Sequence, residues 1–168
     1  MYERILVPVD GSPTSNAGLA EAIKLAKLTG ARMRVLHVVD EMPFLLSAEG
    51  YAAMSGDVFT LLKEAGQALL EQARLTVEAA GIPVEAALFD SLDGRLCDRV
   101  TEQVQEWNAD VIVLGTHGRR GVGRMLMGSD AEQITRTSKV PVLLVRGPSL
   151  EVDQPASTRS SRARSEPT

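Results

Sequence analysis

The 168 residues, 44% of them hydrophobic and 24% charged, suit one ordinary soluble domain with a real core and leave no room for a second. A formal net charge of -4 and a pI near 5.3 withhold the basic footprint of a DNA- or RNA-binding surface, and no aliphatic stretch approaches the roughly 20 residues that span a bilayer. One cysteine, Cys97, excludes an internal disulfide and fits a reducing compartment, while two histidines, His37 and His117, without a Cys/His cluster exclude a structural zinc site.

Met1-Tyr2-Glu3-Arg4 leads straight into Ile5-Leu6-Val7 with no signal-peptide apolar region, so a cytoplasmic location is expected. Residues 3–9 predict the first strand. Asp10-Gly11-Ser12-Pro13 then gives a turn and a helix start, with Ser12 as cap and Pro13 at the first helical position. The helix is expected over 13–29, where Leu19, Ile23 and Ala26 keep helical spacing and Gly30 terminates it. Met33 to Val39 predicts the second strand, closed by Asp40. The stretch 41–57, with Pro43, Gly50, Tyr51 and Gly56, lacks a clean period and is expected to be a long loop, with or without a helical turn.

Leu62, Ala65, Leu69, Ala73, Val77 and Ala80 recur every three or four residues and predict a long helix ending at Gly81. Val84 to Phe89 predicts a third strand, and 90–94 offers caps for a helix with Leu96, Val100, Val104 and Trp107 on one face. Cys97 lies in that helical pattern and is expected to be a packing or partly exposed thiol. Val111-Ile112-Val113-Leu114 predicts a buried fourth strand, a short helix follows near 129–137, and 140–145 predicts a fifth strand with Pro141 at its start. Strands alternating with helices predict an α/β fold: an open five-stranded parallel sheet with helices on both faces, Rossmann-like, in a single domain over 1–147. Residues 148–168, rich in Ser, Pro, Arg and Glu, are expected to be a disordered tail without chemistry of its own, or a tether or partner contact.

The chemistry concentrates after the fourth strand. From Leu114 to Gln133 the chain runs LGTHGRRGVGRMLMGSDAEQ, which holds Gly115, Gly118 and Gly128-Ser129 in the spacing Gly-x2-Gly-x9-Gly-Ser. Gly115 and Gly118 permit positive φ and close approach of a ligand to the main chain. Ser129-Asp130-Ala131-Glu132 fits a capping box, and the amides and dipole of the helix start make an anion site. Arg119, Arg120 and Arg124 supply guanidinium groups suited to phosphate. The same glycines also serve turn geometry alone, and loop arginines are often simply solvated. The spacing is neither the dinucleotide fingerprint nor a P-loop. In an open α/β sheet ligands bind at the carboxyl ends of the strands, where 8–12, 38–40 and 115–129 all end. Asp10 is either a turn residue or an acceptor for a ribose hydroxyl or amine, and His117 either a phosphate donor or a loop histidine bonded to backbone.

Ile5-Leu6-Val7-Pro8-Val9-Asp10-Gly11-Ser12, Leu36-His37-Val38-Val39-Asp40 and the glycine motif followed by Pro141-Val142-Leu143-Leu144-Val145 closely resemble the universal stress protein family, over about residues 2–146. The resemblance implies the class that binds ATP through the glycine motif. It places Pro8, Val9 and Asp10 along the cleft and the Val38 backbone against the adenine. Leu114, Gly115, His117 and Gly118 would follow the ribose and phosphates, and Gly128 with Ser129 would complete the cradle. Ser12 at the same rim and Arg119 in the loop complete the candidate nucleotide-binding set. The resemblance also implies a homodimer paired through strand 142–145, cover that an apolar edge strand needs in any case. Asp130 departs from the pattern, since ATP-binding relatives often carry an uncharged residue there. Facing the cleft, its carboxylate would oppose a triphosphate by on the order of 1 kcal/mol, which a bridging metal would reverse; pointing outward, it would serve only as a helix-start residue.

The expected function is that of a cytoplasmic stress-response protein that binds ATP, with or without Mg, or another adenine nucleotide. It would act as a nucleotide-dependent homodimeric switch or a module for a protein partner, with neither nucleic acid nor membrane involved. The alternatives are a nucleotide-independent regulatory dimer and a slow ATP hydrolase. Against hydrolysis stand the lack of a P-loop lysine, of a Ser-Gly-Gly loop after the first strand, and of a nucleophile with a paired base.

Overall fold

A computed structural model of the chain describes residues 1–39, 56–90, 94–116 and 128–147. Among them the elements run β1 (Arg4–Pro8), α1 (Pro13–Thr29), β2 (Arg32–Val39), α2 (Gly56–Ala79), β3 (Val84–Asp90), α3 (Leu96–Glu106), β4 (Val111–Gly115), α4 (Ser129–Thr137) and β5 (Val142–Val145). The five strands form one sheet in the order β3-β2-β1-β4-β5, and every pair in it is parallel.

Alternation along each central strand sends side chains to both faces, so both need cover. Ile5, Val7, Met33, Val35, Val111 and Val113 pack with Leu19, Ala22 and Ala26 of α1 and with Leu70, Ala73 and Val77 of α2. Leu6, Leu36, Ile112 and Leu114 face the other way, against Cys97 and Val100 of α3, Ala131 and Ile134 of α4, and Trp107. Helices α1 and α2 therefore share one face, and α3 and α4 the other. From β1 the chain winds outward through β2 to β3. It then returns across the sheet to β4 and winds outward again to β5. Because such crossovers are right-handed, the reversal puts the second pair of helices on the opposite face. The strand order reverses between β1 and β4, which makes their carboxyl ends the ligand crevice of the fold.

Most boundaries fall within one or two residues of the sequence reading, and three of the differences have a local cause. Helix α2 begins at Gly56, so residues 56 and 57 belong to a helix and not to the preceding loop. Helix α3 takes Arg95 as its N-cap, whose amide donates to Asp98 Oδ2 at 3.1 Å; the side chain inside the helix does the capping expected of 90–94. Strand β5 starts at Val142, since Pro141 has no amide for a ladder and contributes only its carbonyl, to Ile112 N–H at 3.0 Å. The rest of the expected loop 41–57 apart from 56 and 57, and the tail 148–168, lie outside the described residues.

Candidate functional site

Beyond Pro8 the chain turns sharply into α1, and the polar groups of that turn hold one another. Asp10 Oδ1 accepts the Ser12 amide at 2.9 Å, a side-chain turn that lets Gly11 take φ 78. Ser15 Oγ accepts the Asp10 amide at 3.1 Å, and Ser12 Oγ accepts the Ser15 amide at 3.1 Å as the N-cap of α1. Ser12 and Ser15 are buried, so the Ser12 hydroxyl serves the turn, while Asp10 is half-buried at the rim.

The neighbouring strand end is set by register. Arg32 N–H donates to Glu3 O at 3.0 Å and Val9 N–H donates to Leu36 O at 2.8 Å, so even-numbered residues of β2 turn their main-chain polar groups toward β1. Met33 N–H donates to Pro83 O at 2.8 Å, so odd-numbered ones turn toward β3. Registered pairing of β1 with β2 ends at Pro8 and Leu36. The N–H and C=O of Val38 therefore point toward β1 just past its last paired residue. Val38 is half-buried between the buried His37 and Val39. Pairing of β1 with β4 is confined to Ile5–Val111 and Leu6–Ile112, so the two strands part toward the carboxyl ends beside Val38.

On the β4 side the glycine motif corrects one expectation. Gly115 is not at positive φ, and its missing side chain makes room for α1: a Cβ there would stand 2.7 Å from Thr14 O and 2.9 Å from Thr14 Cγ2. Gly147 admits Thr14 Oγ1, to which its Cβ would come within 2.6 Å, and a Cβ on Gly18 of α1 would come within 3.2 Å of Gly115 N. The glycine in the middle of α1 was the sequence signal for this close packing, because helix interiors otherwise avoid glycine. Leu114 is buried beneath. Thr116 next bridges three segments, with its amide donating to Val145 O at 2.9 Å and its carbonyl accepting the Gly128 amide at 2.8 Å. The eleven-residue step between them returns to its starting point; His117, Gly118, Arg119, Arg120 and Arg124 lie on it, outside the described residues.

The capping box expected of Ser129 and Glu132 is not formed. Gly128 is the N-cap of α4, at φ -60 and ψ 147, and Ser129 is already the first helical residue. Its hydroxyl therefore sits one position too late to cap. Glu132 N–H donates to Gly128 O at 2.9 Å as the first bond of the helix, which leaves the amides of 129–131 without intrahelical acceptors. Ser129 and Asp130 are exposed. Asp130 and Glu132 both lie in the first turn, where negative charge competes with an anionic ligand for the dipole.

Away from the crevice, on the α3 face, Arg34 is held in a cluster. It donates to Gln103 Oε1 at 2.7 Å, pairs with Glu85, and lies over the Trp107 ring at 4.8 Å. The Arg34 hydrogen bond holds the Glu85 carboxyl below its ordinary value, against an opposing effect of burial, with Trp107 adding a further donor. A carboxylate depressed in the folded state stabilises above the unfolded value of about 4.3 and loses that contribution as pH falls through the folded one. Urea midpoints of the wild type are therefore expected to fall more between pH 7 and pH 3 than those of Glu85→Gln. The difference should be small because Glu85 is half exposed, and equal falls would show that the pair does not contribute. Burial, with the Asp98 carboxylate adding, pushes the Cys97 thiol up, as befits a packing cysteine.

Residues 1–146 match the family model described as the universal stress protein family. The chain belongs to that family. This universal stress protein is 35% identical over 152 residues to universal stress protein MJ0531 of Methanocaldococcus jannaschii, covering 90% of this chain and 86% of that one. Its fold superposes on the solved structure of MJ0577 from the same organism with a TM-score of 0.75 at 24% identity, covering 88% of this chain and 98% of that chain. It also superposes on a universal stress protein crystallised in complex with cAMP, at TM-score 0.61 and 25% identity, covering 86% and 97%. Among the described residues no helix is long and apolar enough to cross a membrane.

Proposed function

We propose that this universal stress protein binds an adenine nucleotide, ATP with or without Mg, in the crevice between the carboxyl ends of β1 and β4, and acts in the cytoplasm as a nucleotide-dependent homodimeric switch or partner module. The observation that carries this reading is the Val38 peptide. A donor and an acceptor on one residue, turned toward a strand that has ended, match the adjacent N1 and amino group of adenine. A relative of the same fold holding an adenine nucleotide supports it.

In this reading Pro8, Val9 and Leu114 line the crevice, and the half-buried Asp10, a carboxylate at its rim, is of the type that accepts from a ribose hydroxyl. Gly115, His117, Gly118 and Arg119 follow the phosphates, which end on the amides beyond Gly128 and Ser129. Ser12 contributes by holding the turn. Titration calorimetry of the nucleotide-free full chain with ATP-Mg and AMP tests this: the wild type is expected to bind, and Gly118→Ala to weaken binding at least tenfold. No heat with either nucleotide, together with an unshifted melting temperature, would sink the reading.

The dimer rests on β5, an edge of the sheet on which Leu143 is 39% exposed. Leu143→Lys is expected to shift the sedimenting species from dimer to monomer, and an unchanged dimer would move the interface elsewhere. A nucleotide-independent dimer is favoured by one observation, that the Gly115 space is filled by Thr14. That reading requires the same dimer with no response to ATP.

A further inference from the structure

The Val9 carbonyl is the last acceptor that β1 offers to β2, and two donors of β2 can reach for it. By the register, the donor due there is the Val38 amide, two residues beyond Leu36, whose carbonyl takes the Val9 amide at 2.8 Å. Instead His37 Nδ1 stands 2.7 Å from Val9 O. A carbonyl can only accept, so Nδ1 carries the proton. The imidazole is buried and backed by α2, where a Cβ on Gly66 would come within 3.1 Å of His37 Cδ2 and 2.8 Å of Val39 Cγ2. The ring is thus wedged between α2 and the end of β1.

We propose that His37 is the positioning residue of the base subsite, an inference that rests on the adenine-nucleotide reading above. By giving Val9 O a side-chain donor, His37 ends the β1–β2 ladder at Pro8 and releases the Val38 N–H to the ligand. It also anchors Val9 and with it the turn that presents Asp10. A strand that simply continued its pairing would spend the Val38 amide on Val9 and leave only the Val38 carbonyl for a base. Reading an acceptor and a donor side by side needs both groups, so base recognition depends on a side chain that never touches the base.

Titration of the full chain with AMP, combined with amide hydrogen exchange at Val38 in the nucleotide-free protein, tests this. His37→Phe keeps the bulk but has no donor, so Val38 N–H is expected to bond Val9 O. Exchange at Val38 should slow by about tenfold while AMP binding weakens by about tenfold, the worth of one neutral hydrogen bond. His37→Asn, whose side-chain amide can donate from nearly the same place, is expected to keep AMP affinity within about twofold of the wild type. A merely structural histidine would not move the Val38 amide in this direction. Unchanged AMP affinity in His37→Phe, or weakened affinity without slower exchange at Val38, overturns the proposal. Should His37→Phe not fold, the wild type decides: a Val38 amide that exchanges fast without AMP and slows on adding it supports the proposal, and one already protected overturns it. A wild type that binds no AMP overturns the underlying reading and this proposal with it.

Discussion

Gly115→Val is expected to lower the melting temperature by roughly 6–12 °C, a loss of roughly 3 kcal/mol by overpacking. The added Cβ would meet the carbonyl oxygen of Thr14 at 2.7 Å and its carbonyl carbon at 2.8 Å. Those are backbone atoms of the first turn of α1, so no side-chain rotation relieves the clash. A Cβ on Gly18 of the same helix would come within 3.2 Å of Gly115 N, so α1 already packs closely on β4 there. The helix start must lift, and the turn bonded through Ser12 and Ser15 lifts with it, so nucleotide affinity should fall together with stability. Gly30→Ala is the calibrating comparison: nothing lies within 4 Å of its Cβ, and φ +74 costs a side chain only about 1 kcal/mol. Melts read by circular dichroism that put Gly115→Val within 2 °C of the wild type would show that α1 does not press on β4 as described.

Trp107→Ala is expected to cost about 3–5 kcal/mol, read as a lower urea midpoint at unchanged slope. Trp107 is 7% exposed and packs with Leu6, Val100 and Ile112 under α3. Its removal opens a cavity in the core of that face. It also takes away the ring beneath Arg34 and the indole donor that reaches Glu85 Oε1 at 3.2 Å. Trp107→Phe keeps most of the apolar volume and loses the donor, so its expected cost is about 1–2 kcal/mol. Equal losses in the two variants would place the stability in the hydrogen bond and not in the packing. AMP binding by folded Trp107→Phe should match the wild type, because the cluster lies away from the crevice.

Much of the architecture was legible because each element declared itself locally. Ser12 and Pro13 opened α1 as expected, and Gly30 closed it in the left-handed conformation at φ 74. The apolar run 111–114 gave a buried central strand, and the alternation of strands and helices gave the parallel sheet. Where the reading slipped, a distant or subtle competitor had won. Helix α2 began earlier than its apolar stripe because a helix can start before its buried face does. Ser129 looked like a cap by type, yet the backbone of Gly128, bonded to Thr116, occupies the cap position.

The candidate site divides in the same way. Residue types and spacing were enough to bring Pro8 to Ser12, Val38 and Gly115 to one rim, since the ends of parallel strands must share an edge. They were also enough to exclude a P-loop and a dinucleotide fingerprint. What only the tertiary structure decided is which atom each group spends and on what. Gly115 is small because Thr14 of another element presses on it, and His37, which the sequence placed in the second strand without a partner, donates to a carbonyl 28 residues away. Side-chain hydrogen bonds and close backbone contacts form between segments that the chain order keeps apart. A sequence read by period and motif therefore yields the elements and the edge they share, whereas the partner of each polar atom exists only once the sheet has assembled.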